Sequence, residues 1–130
     1  MLKTVLTFAI ILSATNAFAA ERYICATGED AFRTIEVLID GAKITGGRFA
    51  TSSGWVPFDR SEQYDQVRVF LNNGRLTIRH YEGHDIDSIE LPLAVGKSIA
   101  TRYTFIDCAG ESNSRVLAEC TREVDERPLP

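Results

Sequence analysis

Several short motifs that mark enzymes are missing from this chain of 130 residues. There is no G-x-S-x-G turn for a serine nucleophile, no glycine-rich loop to hold a nucleotide phosphate, and no Cys-x-x-Cys pair. Basic residues are also fewer than acidic ones: the chain has 14 Lys and Arg and 18 Asp and Glu, which gives a formal net charge of −4. Serine hydrolysis, nucleotide chemistry, thiol redox chemistry and binding to a nucleic acid backbone are therefore not indicated.

Helical periodicity and long apolar runs are scarce as well. Beyond the first residues, no window repeats apolar side chains every 3.6 positions, and none approaches the about 20 apolar residues that cross a membrane as a helix. Hydrophobic residues make up 45% of the chain and charged residues 25%, which is an ordinary globular composition. A chain of this length and composition is expected to form one domain.

The N-terminal segment has the pattern of a secretory signal peptide. Lys3 precedes the apolar run Thr4–Leu12, and Ala17-Phe18-Ala19 provides the small residues that signal peptidase requires. The apolar run is too short to span a bilayer. We therefore expect residues 1–19 to be a cleaved signal peptide, and the protein to be periplasmic or secreted.

Three cysteines, Cys25, Cys108 and Cys120, allow at most one internal disulfide. An exported protein enters an oxidising compartment, where thiols tend to pair. Cys108 and Cys120 flank a short turn-like segment, and a short loop closes most readily, so this pairing is favoured. Pairing of Cys25 with Cys120 is the alternative, and it would join the first strand to the last.

Alternation of apolar and polar residues, broken by turn residues, dominates the rest of the chain. Asn73-Gly74 separates two alternating runs and is typical of a two-residue hairpin turn. That turn predicts the cross-strand pairs Leu71–Leu76, Val69–Ile78 and Val67–His80. About eight strands at this spacing predict an all-β domain at residues 20–123, either a small antiparallel β-barrel or a β-sandwich. A frayed tail is expected at residues 124–130.

Aromatic side chains are concentrated in the irregular segment between residues 51 and 66. Trp55, Phe58 and Tyr64 lie there, after Ser53 and Gly54. These aromatics either cover the open end of the core or belong to a recognition loop, since rigid aromatic residues dominate binding hot spots. Ser53, Gly54, Trp55, Phe58 and Tyr64 are therefore the candidate binding surface.

The densest group of metal-ligand residue types lies in a polar segment at residues 80–87. His80, His84 and Asp85 offer imidazole and carboxylate groups suited to zinc or another transition metal. Residues four apart on a strand lie about 13 Å apart, which is too far to share one ion without a turn. A solvated hairpin loop, with His80 at the rim of the core, is the simpler interpretation, and no cofactor is expected.

Several arginines fall on one face of the predicted strands. Arg68, Arg75, Arg79 and Arg102 could form a basic stripe beside Phe70 and bind an anionic ligand through bidentate contacts. The alternative interpretation is that these arginines only solvate an exposed face.

Two short features resemble a known family. Tyr23-Ile24-Cys25 near the start of the domain and Cys120 near its end are similar to the frame of small exported β-domains that inhibit lysozymes. Those inhibitors carry a Ser-Gly-x-x-Tyr loop that enters the enzyme cleft. Here Ser53-Gly54-Trp55-Val56-Pro57 has proline in the tyrosine position. The resemblance implies an inhibitory role.

The combination of export, small size, acidic charge and missing catalytic motifs predicts a non-enzymatic binding module, such as an inhibitor or an immunity-type protein. Its expected partner is another protein, such as a basic cell-wall hydrolase, because negative charge steers encounters with basic partners. A small-ligand carrier of the β-barrel type is the first alternative, since about eight strands are near the minimum for enclosing a ligand. A metal-dependent enzyme that uses His80, His84 and Asp85 is the second.

Overall fold

The computed structural model describes residues 20–125, which form a single antiparallel sheet of ten strands. One turn of 3-10 helix, Asp30–Phe32, lies between the first two strands. No helix in this part of the chain is long and apolar enough to cross a membrane. The strands are β1 (Ala20–Thr27), β2 (Thr34–Asp40), β3 (Lys43–Thr51), β4 (Gly54–Pro57), β5 (Ser61–Glu62), β6 (Asp65–Asn72), β7 (Arg75–Glu82), β8 (Asp85–Pro92), β9 (Gly96–Asp107) and β10 (Gly110–Asp125).

The ten strands curl into a half-barrel. Their order is β4-β3-β2-β1-β10-β9-β8-β7-β6-β5, so the first and last strands pair at the centre and β4 and β5 form the two edges. Phe49 of β3 and His80 of β7 are six strands apart in this order, which corresponds to about 29 Å in a flat sheet. Their ring centroids are only 5.3 Å apart, so the two halves of the sheet meet.

The inner face of the half-barrel forms the core. Apolar side chains alternate onto this face along the strands, because successive side chains of a strand point to opposite faces. Phe32 of the 3-10 turn packs at its centre, with its ring centroid 5.0 Å from that of Phe49 and 6.2 Å from that of Tyr103. Among the described residues, the other side chains with no exposed surface are Cys25, Ile35, Val37, Leu76, Ile78, Ile89 and Leu91.

The hairpin turn predicted at Asn73-Gly74 is confirmed. Both residues have positive φ angles, 53° and 74°, which this two-residue turn requires and which asparagine and glycine tolerate. The turn fixes the register of β6 against β7, and the three predicted pairs are present: Leu71–Leu76, Val69–Ile78 and Val67–His80.

The expected count of about eight strands is wrong, because the segment assigned to a loop contributes strands to both edges of the sheet. Within residues 51–66, β4 pairs with β3 and places Val56 opposite Phe49, and β5 pairs with β6. Val56 is buried against the core, and this packing stabilises β4. The glycine and proline at the ends of β4 made the same segment resemble a loop in the sequence. Pro57 is tolerated because it ends an edge strand.

The disulfide joins Cys25 to Cys120, so the favoured pairing of Cys108 with Cys120 is wrong. Cys25 on β1 lies directly opposite Cys120 on β10, and both are buried. Cys108 lies in the β9–β10 turn and is exposed as a free thiol. About ten residues of extended strand separate that turn from Cys120, or roughly 33 Å, so the two thiols cannot meet.

A glycine on β3 allows the chain after β4 to fold back over the sheet. A Cβ atom at Gly47 would collide with the ring of Phe58 and lie 2.5 Å from the carbonyl oxygen of Glu36. The amide of Phe58 donates a hydrogen bond to the Gly47 carbonyl at 3.0 Å. This close approach directs the following residues towards the end of the half-barrel where the candidate site lies.

The predicted signal peptide, residues 1–19, lies outside the described residues. At the other end, Val124 and Asp125 continue β10 and pair with Glu21 and Ala20. The strand therefore extends two residues into the segment that was expected to fray.

Candidate functional site at one end of the half-barrel

A cleft of about 540 Å³ opens at one end of the half-barrel. Its walls come from three parts of the chain that the curl brings together: the 3-10 turn after β1, the turn between β3 and β4, and the ends of strands on the far half of the sheet. The lining residues with polar side chains are Glu29, Asp30, Thr51, Ser52, Ser53, Arg60, Asp65, His80, Glu82 and Asp87.

The cleft is acidic. Its lining holds five carboxylates, from Glu29, Asp30, Asp65, Glu82 and Asp87. Against them, the described part of the chain supplies one permanently charged cation to the lining, a single arginine. Asp65 is paired with that arginine, Arg60, and Asp30 is paired with Arg33, which lies outside the lining. Glu29, Glu82 and Asp87 have no arginine partner within residues 20–125, so they carry the negative potential of the cleft.

A row of charged groups lies along the floor of the cleft. His80 is only 4% exposed, and its Nε2 lies 2.6 Å from Oδ1 of Asp65. Nη1 of Arg60 donates to the other carboxylate oxygen of Asp65, also at 2.6 Å. Partial burial alone would raise the pKa of Asp65, but the hydrogen bonds and charges of His80 and Arg60 outweigh burial and hold that pKa below its usual value.

Both ring nitrogens of His80 face carboxylates. Nδ1 lies 3.4 Å from Oε1 of Glu82, on the side opposite Asp65. The ring also packs edge-on against Phe49. The hydrogen bond to Asp65 and the packing against Phe49 fix the orientation of the ring, and Nδ1 is turned towards the Glu82 carboxylate.

A second buried contact links the cleft to the core. The hydroxyl of Tyr103 on β9 donates a hydrogen bond to Oδ1 of Asp87 on β8. Burial raises the pKa of Tyr103, and the hydrogen bond to Asp87 raises it further. Tyr103 is therefore a neutral donor that fixes the Asp87 carboxylate at the wall of the cleft.

The turn between β3 and β4 is tied to the 3-10 turn by a backbone hydrogen bond and is held internally by the hydroxyl of Thr51. The amide of Ser52 donates to the carbonyl of Asp30 at 3.1 Å. The amide of Ser53 donates to the hydroxyl of Thr51 at 3.0 Å, and that hydroxyl donates to the carbonyl of Gly54 at 3.3 Å. These bonds hold the exposed Ser53 side of the cleft in one conformation.

Three of the five residues predicted as a binding surface line this cleft: Ser53, Gly54 and Trp55. The Trp55 ring is 44% exposed and lies 3.9 Å from the guanidinium carbon of Arg48. Because Arg48 also binds Glu36, the tryptophan is held in place at the rim of the cleft.

The other two aromatic residues lie elsewhere. Phe58 is half-buried and packs against the core over Gly47, as expected of a covering aromatic. Tyr64 is 72% exposed and borders a separate groove of about 190 Å³ beside Arg68 and Tyr81.

The structure does not bring the three candidate metal ligands together. His80 is buried inside the half-barrel, whereas His84 and Asp85 are exposed around the β7–β8 turn and do not line the cleft. Among residues 20–125, no group of three or more His, Cys, Asp or Glu side chains is arranged to hold a metal ion.

Sequence reasoning missed several acidic residues of the cleft, and it missed them for two different reasons. The position of Asp65 could have been predicted, because extending the Asn73-Gly74 hairpin by two pairs beyond Val67 and His80 places Asp65 opposite Glu82. The positions of Glu29 and Asp30 could not have been predicted, because only the curl of the sheet brings these two residues to the cleft.

Comparison with protein-family models, curated proteins and solved structures finds no match for this chain.

Proposed function

We propose that this protein is an exported, non-enzymatic binding module whose acidic cleft receives a basic segment of another protein, such as a cell-wall hydrolase that it inhibits. The observation that carries the proposal is the collection of five carboxylates around one cleft, which is lined by only one arginine among the described residues. Carboxylates in such a cleft bind a lysine or arginine side chain through charge-assisted hydrogen bonds.

The size and rigidity of the cleft support this interpretation. A volume of about 540 Å³ falls within the range of roughly 300–1,000 Å³ that is usual for ligand sites. Tyr103 fixes the Asp87 carboxylate, and Arg60 and His80 fix that of Asp65. The Ser52 amide and the Thr51 hydroxyl fix the turn that carries Ser53. A site that is already ordered loses little conformational entropy when a partner binds.

Long-range electrostatics support the same class of partner. A net charge of −4 with a concentrated acidic cleft accelerates encounters with basic proteins and slows encounters with acidic ones. The rim adds an exposed tryptophan, and such rigid aromatic residues are frequent binding anchors.

The interior of the half-barrel favours protein binding over transport of a small apolar ligand. Phe32, Phe49 and Ile78 are fully buried and fill the space that a carrier would leave for its ligand. The cleft is open and acidic, which suits a cationic side chain presented by a protein surface.

The test measures inhibition of a panel of basic muramidases and amidases, together with binding by calorimetry at about 0.1 M salt. Glu29→Gln with Glu82→Gln removes two carboxylates from the cleft. Asp40→Asn with Glu119→Gln is the matched control, since it removes two exposed carboxylates that do not line the cleft. Circular dichroism verifies that both variants are folded.

We expect at least one basic hydrolase to be bound and inhibited by the wild type. The cleft variant should bind it at least about tenfold more weakly, and the control within about twofold, because truncating interfacial charges that are desolvated costs well over 1 kcal/mol. Absence of binding to the whole panel would contradict the proposal, as would equal weakening by the two variants.

A further inference from the structure

The arginines of the described residues fall into two sets. Five lie within 4.0 Å of a carboxylate oxygen: Arg22, Arg33, Arg48, Arg60 and Arg122. The other five described arginines form no such ion pair, and all are exposed: Arg68, Arg75, Arg79, Arg102 and Arg115. We call this second set the arginine face.

All five residues of the arginine face lie on the outer side of one half of the sheet, on β6, β7, β9 and β10. The alternation of each strand places them there. Arg68 lies between the inward-facing Val67 and Val69, and Arg79 between the buried Ile78 and His80. The set therefore shares one surface, which is turned away from the acidic cleft.

The register brings like charges together on this surface. Arg68 is directly opposite Arg79, and Arg102 is directly opposite Arg115. Like charges in directly opposed positions destabilise a sheet. Arg102 also lies opposite Glu90 on β8, whereas Arg68 and Arg79 have no carboxylate opposite them in the described strands. Guanidinium groups clustered at these solvated positions are available to an anionic ligand.

Aromatic rings orient the first pair. The guanidinium carbon of Arg68 lies 5.6 Å from the ring centroid of Tyr81, and that of Arg79 lies 5.8 Å from the ring centroid of Phe70. Phe70 is 48% exposed, so part of its ring is free to contact a ligand. Arginines held in this way lose less side-chain entropy when they bind an anion.

Two adjoining grooves connect four of the five residues of the arginine face. A groove of about 610 Å³ is lined by Arg75, Arg102 and Arg115, and one of about 270 Å³ by Arg79 and Arg102. Both grooves also contain side chains that can bond to hydroxyl groups, namely Ser88 and Thr104 in the smaller groove, Ser114 in the larger and Asn113 in both. Two carboxylates, Glu90 and Glu111, also line these grooves, against four arginines.

We propose that the arginine face binds a linear acidic glycan that carries carboxylate or sulfate groups. The track from β6 to β10 crosses four inter-strand spacings, or about 19 Å, which suits several sugar units in a row. Paired guanidinium groups recognise carboxylates and sulfates, the hydroxyl and amide side chains recognise sugar hydroxyls, and Phe70 offers an apolar surface to a sugar ring.

The shape of the surface favours a flexible chain over a membrane or a nucleic acid. Because the sheet curls, its outer face is convex, and a flat bilayer would contact only part of the track. Of its aromatic residues, Phe70 and Tyr81 lie against arginines and Tyr64 is at the edge of the face, so they do not form the row of free stacking platforms that single-stranded nucleic acids use.

The experiment measures binding of two probes, heparin as a sulfated glycan and oligogalacturonate as a carboxylated one, by calorimetry at low and moderate salt. Two variants each remove one opposed pair: Arg68→Gln with Arg79→Gln, and Arg102→Gln with Arg115→Gln. The matched control, Arg22→Gln with Arg33→Gln, makes the same change in net charge at exposed arginines that already have carboxylate partners.

We expect salt-sensitive binding of at least one glycan probe, weakened about tenfold or more by either pair variant and less than about threefold by the control. Circular dichroism verifies that both pair variants and the control are folded. The cleft variant Glu29→Gln with Glu82→Gln should retain glycan binding, so this outcome is independent of the proposed function.

Three results would overturn the inference. One is the absence of binding to both glycans at low salt. Another is equal weakening by the control, which would assign binding to net charge alone. The third is binding of single-stranded DNA or of phosphatidylglycerol vesicles as tightly as the glycans with the same dependence on the arginine pairs, which would assign the face to a different class of ligand.

Discussion

Removal of the Cys25–Cys120 disulfide should cause a large loss of stability. The bond joins the first strand of the sheet to the last, across a sequence separation of 95. Because β1 and β10 are also paired by hydrogen bonds, the bond adds little order to the native state. Its main effect is on the unfolded chain, whose two ends it holds together.

The size of that effect follows from the length of the closed loop. Chain-entropy reasoning for a sequence separation of 95 gives about 4.7 kcal/mol at 25 °C. Both sulfur atoms are buried, so alanine at the two positions also removes some packing. We therefore expect Cys25→Ala with Cys120→Ala to lower the free energy of unfolding by about 4–5 kcal/mol, out of a total of roughly 5–15 kcal/mol for a small domain.

Urea unfolding, followed by circular dichroism and tryptophan fluorescence, measures this loss. The slope of unfolding free energy against urea should increase in the double variant, because the unfolded chain becomes more expanded. Cys108→Ser is the control and should change stability by less than about 0.5 kcal/mol, since Cys108 is exposed and unpaired. A loss below about 1 kcal/mol in the double variant, or an equal loss in the control, would refute this reasoning.

Two further predictions concern single positions. Gly47→Ala should lower the free energy of unfolding by about 2–4 kcal/mol, because the added Cβ meets backbone at 2.5 Å, while Gly46→Ala should cost less than about 1 kcal/mol, since its Cβ meets only a leucine methyl at 3.7 Å. Equal unfolding midpoints for these two variants in urea would contradict this difference. Asp65→Asn should cost about 2 kcal/mol at pH 7, because the charged partner of His80 and Arg60 is lost. The lowered pKa of Asp65 means that its contribution is complete above about pH 4 and is lost as the pH falls further, so the difference from wild type should shrink in unfolding measurements at pH 3. A difference that stays the same from pH 7 to pH 3 would show that the Asp65 charge does not stabilise the fold.

Local features of the chain were predictable because they depend on residues close in sequence. The Asn73-Gly74 turn requires two positive φ angles, and its two residues fix the register of β6 and β7. That register already determines which side of each strand faces the core, and hence which side presents Arg68 and Arg79. The same register places Asp65 opposite Glu82, and both residues line the cleft.

Features that depend on distant contacts were missed, or were given only as alternatives, as the pairing of Cys25 with Cys120 was. The edge strand β4 exists because Val56 packs beside Phe49 on the inner face, and its own residues read as a loop. The pairing of Cys25 with Cys120 depends on β1 lying beside β10, which short-range closure arguments do not consider. In both cases the stabilising contacts are made with residues that are distant in sequence and come close only when the chain folds.

By itself, the sequence determined an antiparallel β domain, its central hairpin and the division of that hairpin into an apolar and an arginine-bearing side, because alternation and turn chemistry act over a few residues. Only the tertiary structure decided that the sheet curls into a half-barrel, and so that Glu29 and Asp30 share a cleft with Asp65, Glu82 and Asp87. Curling follows from the packing of Phe32 and Phe49 against strands on the far half of the sheet. Such packing depends on the shapes of side chains far apart in the chain, and no local pattern encodes it.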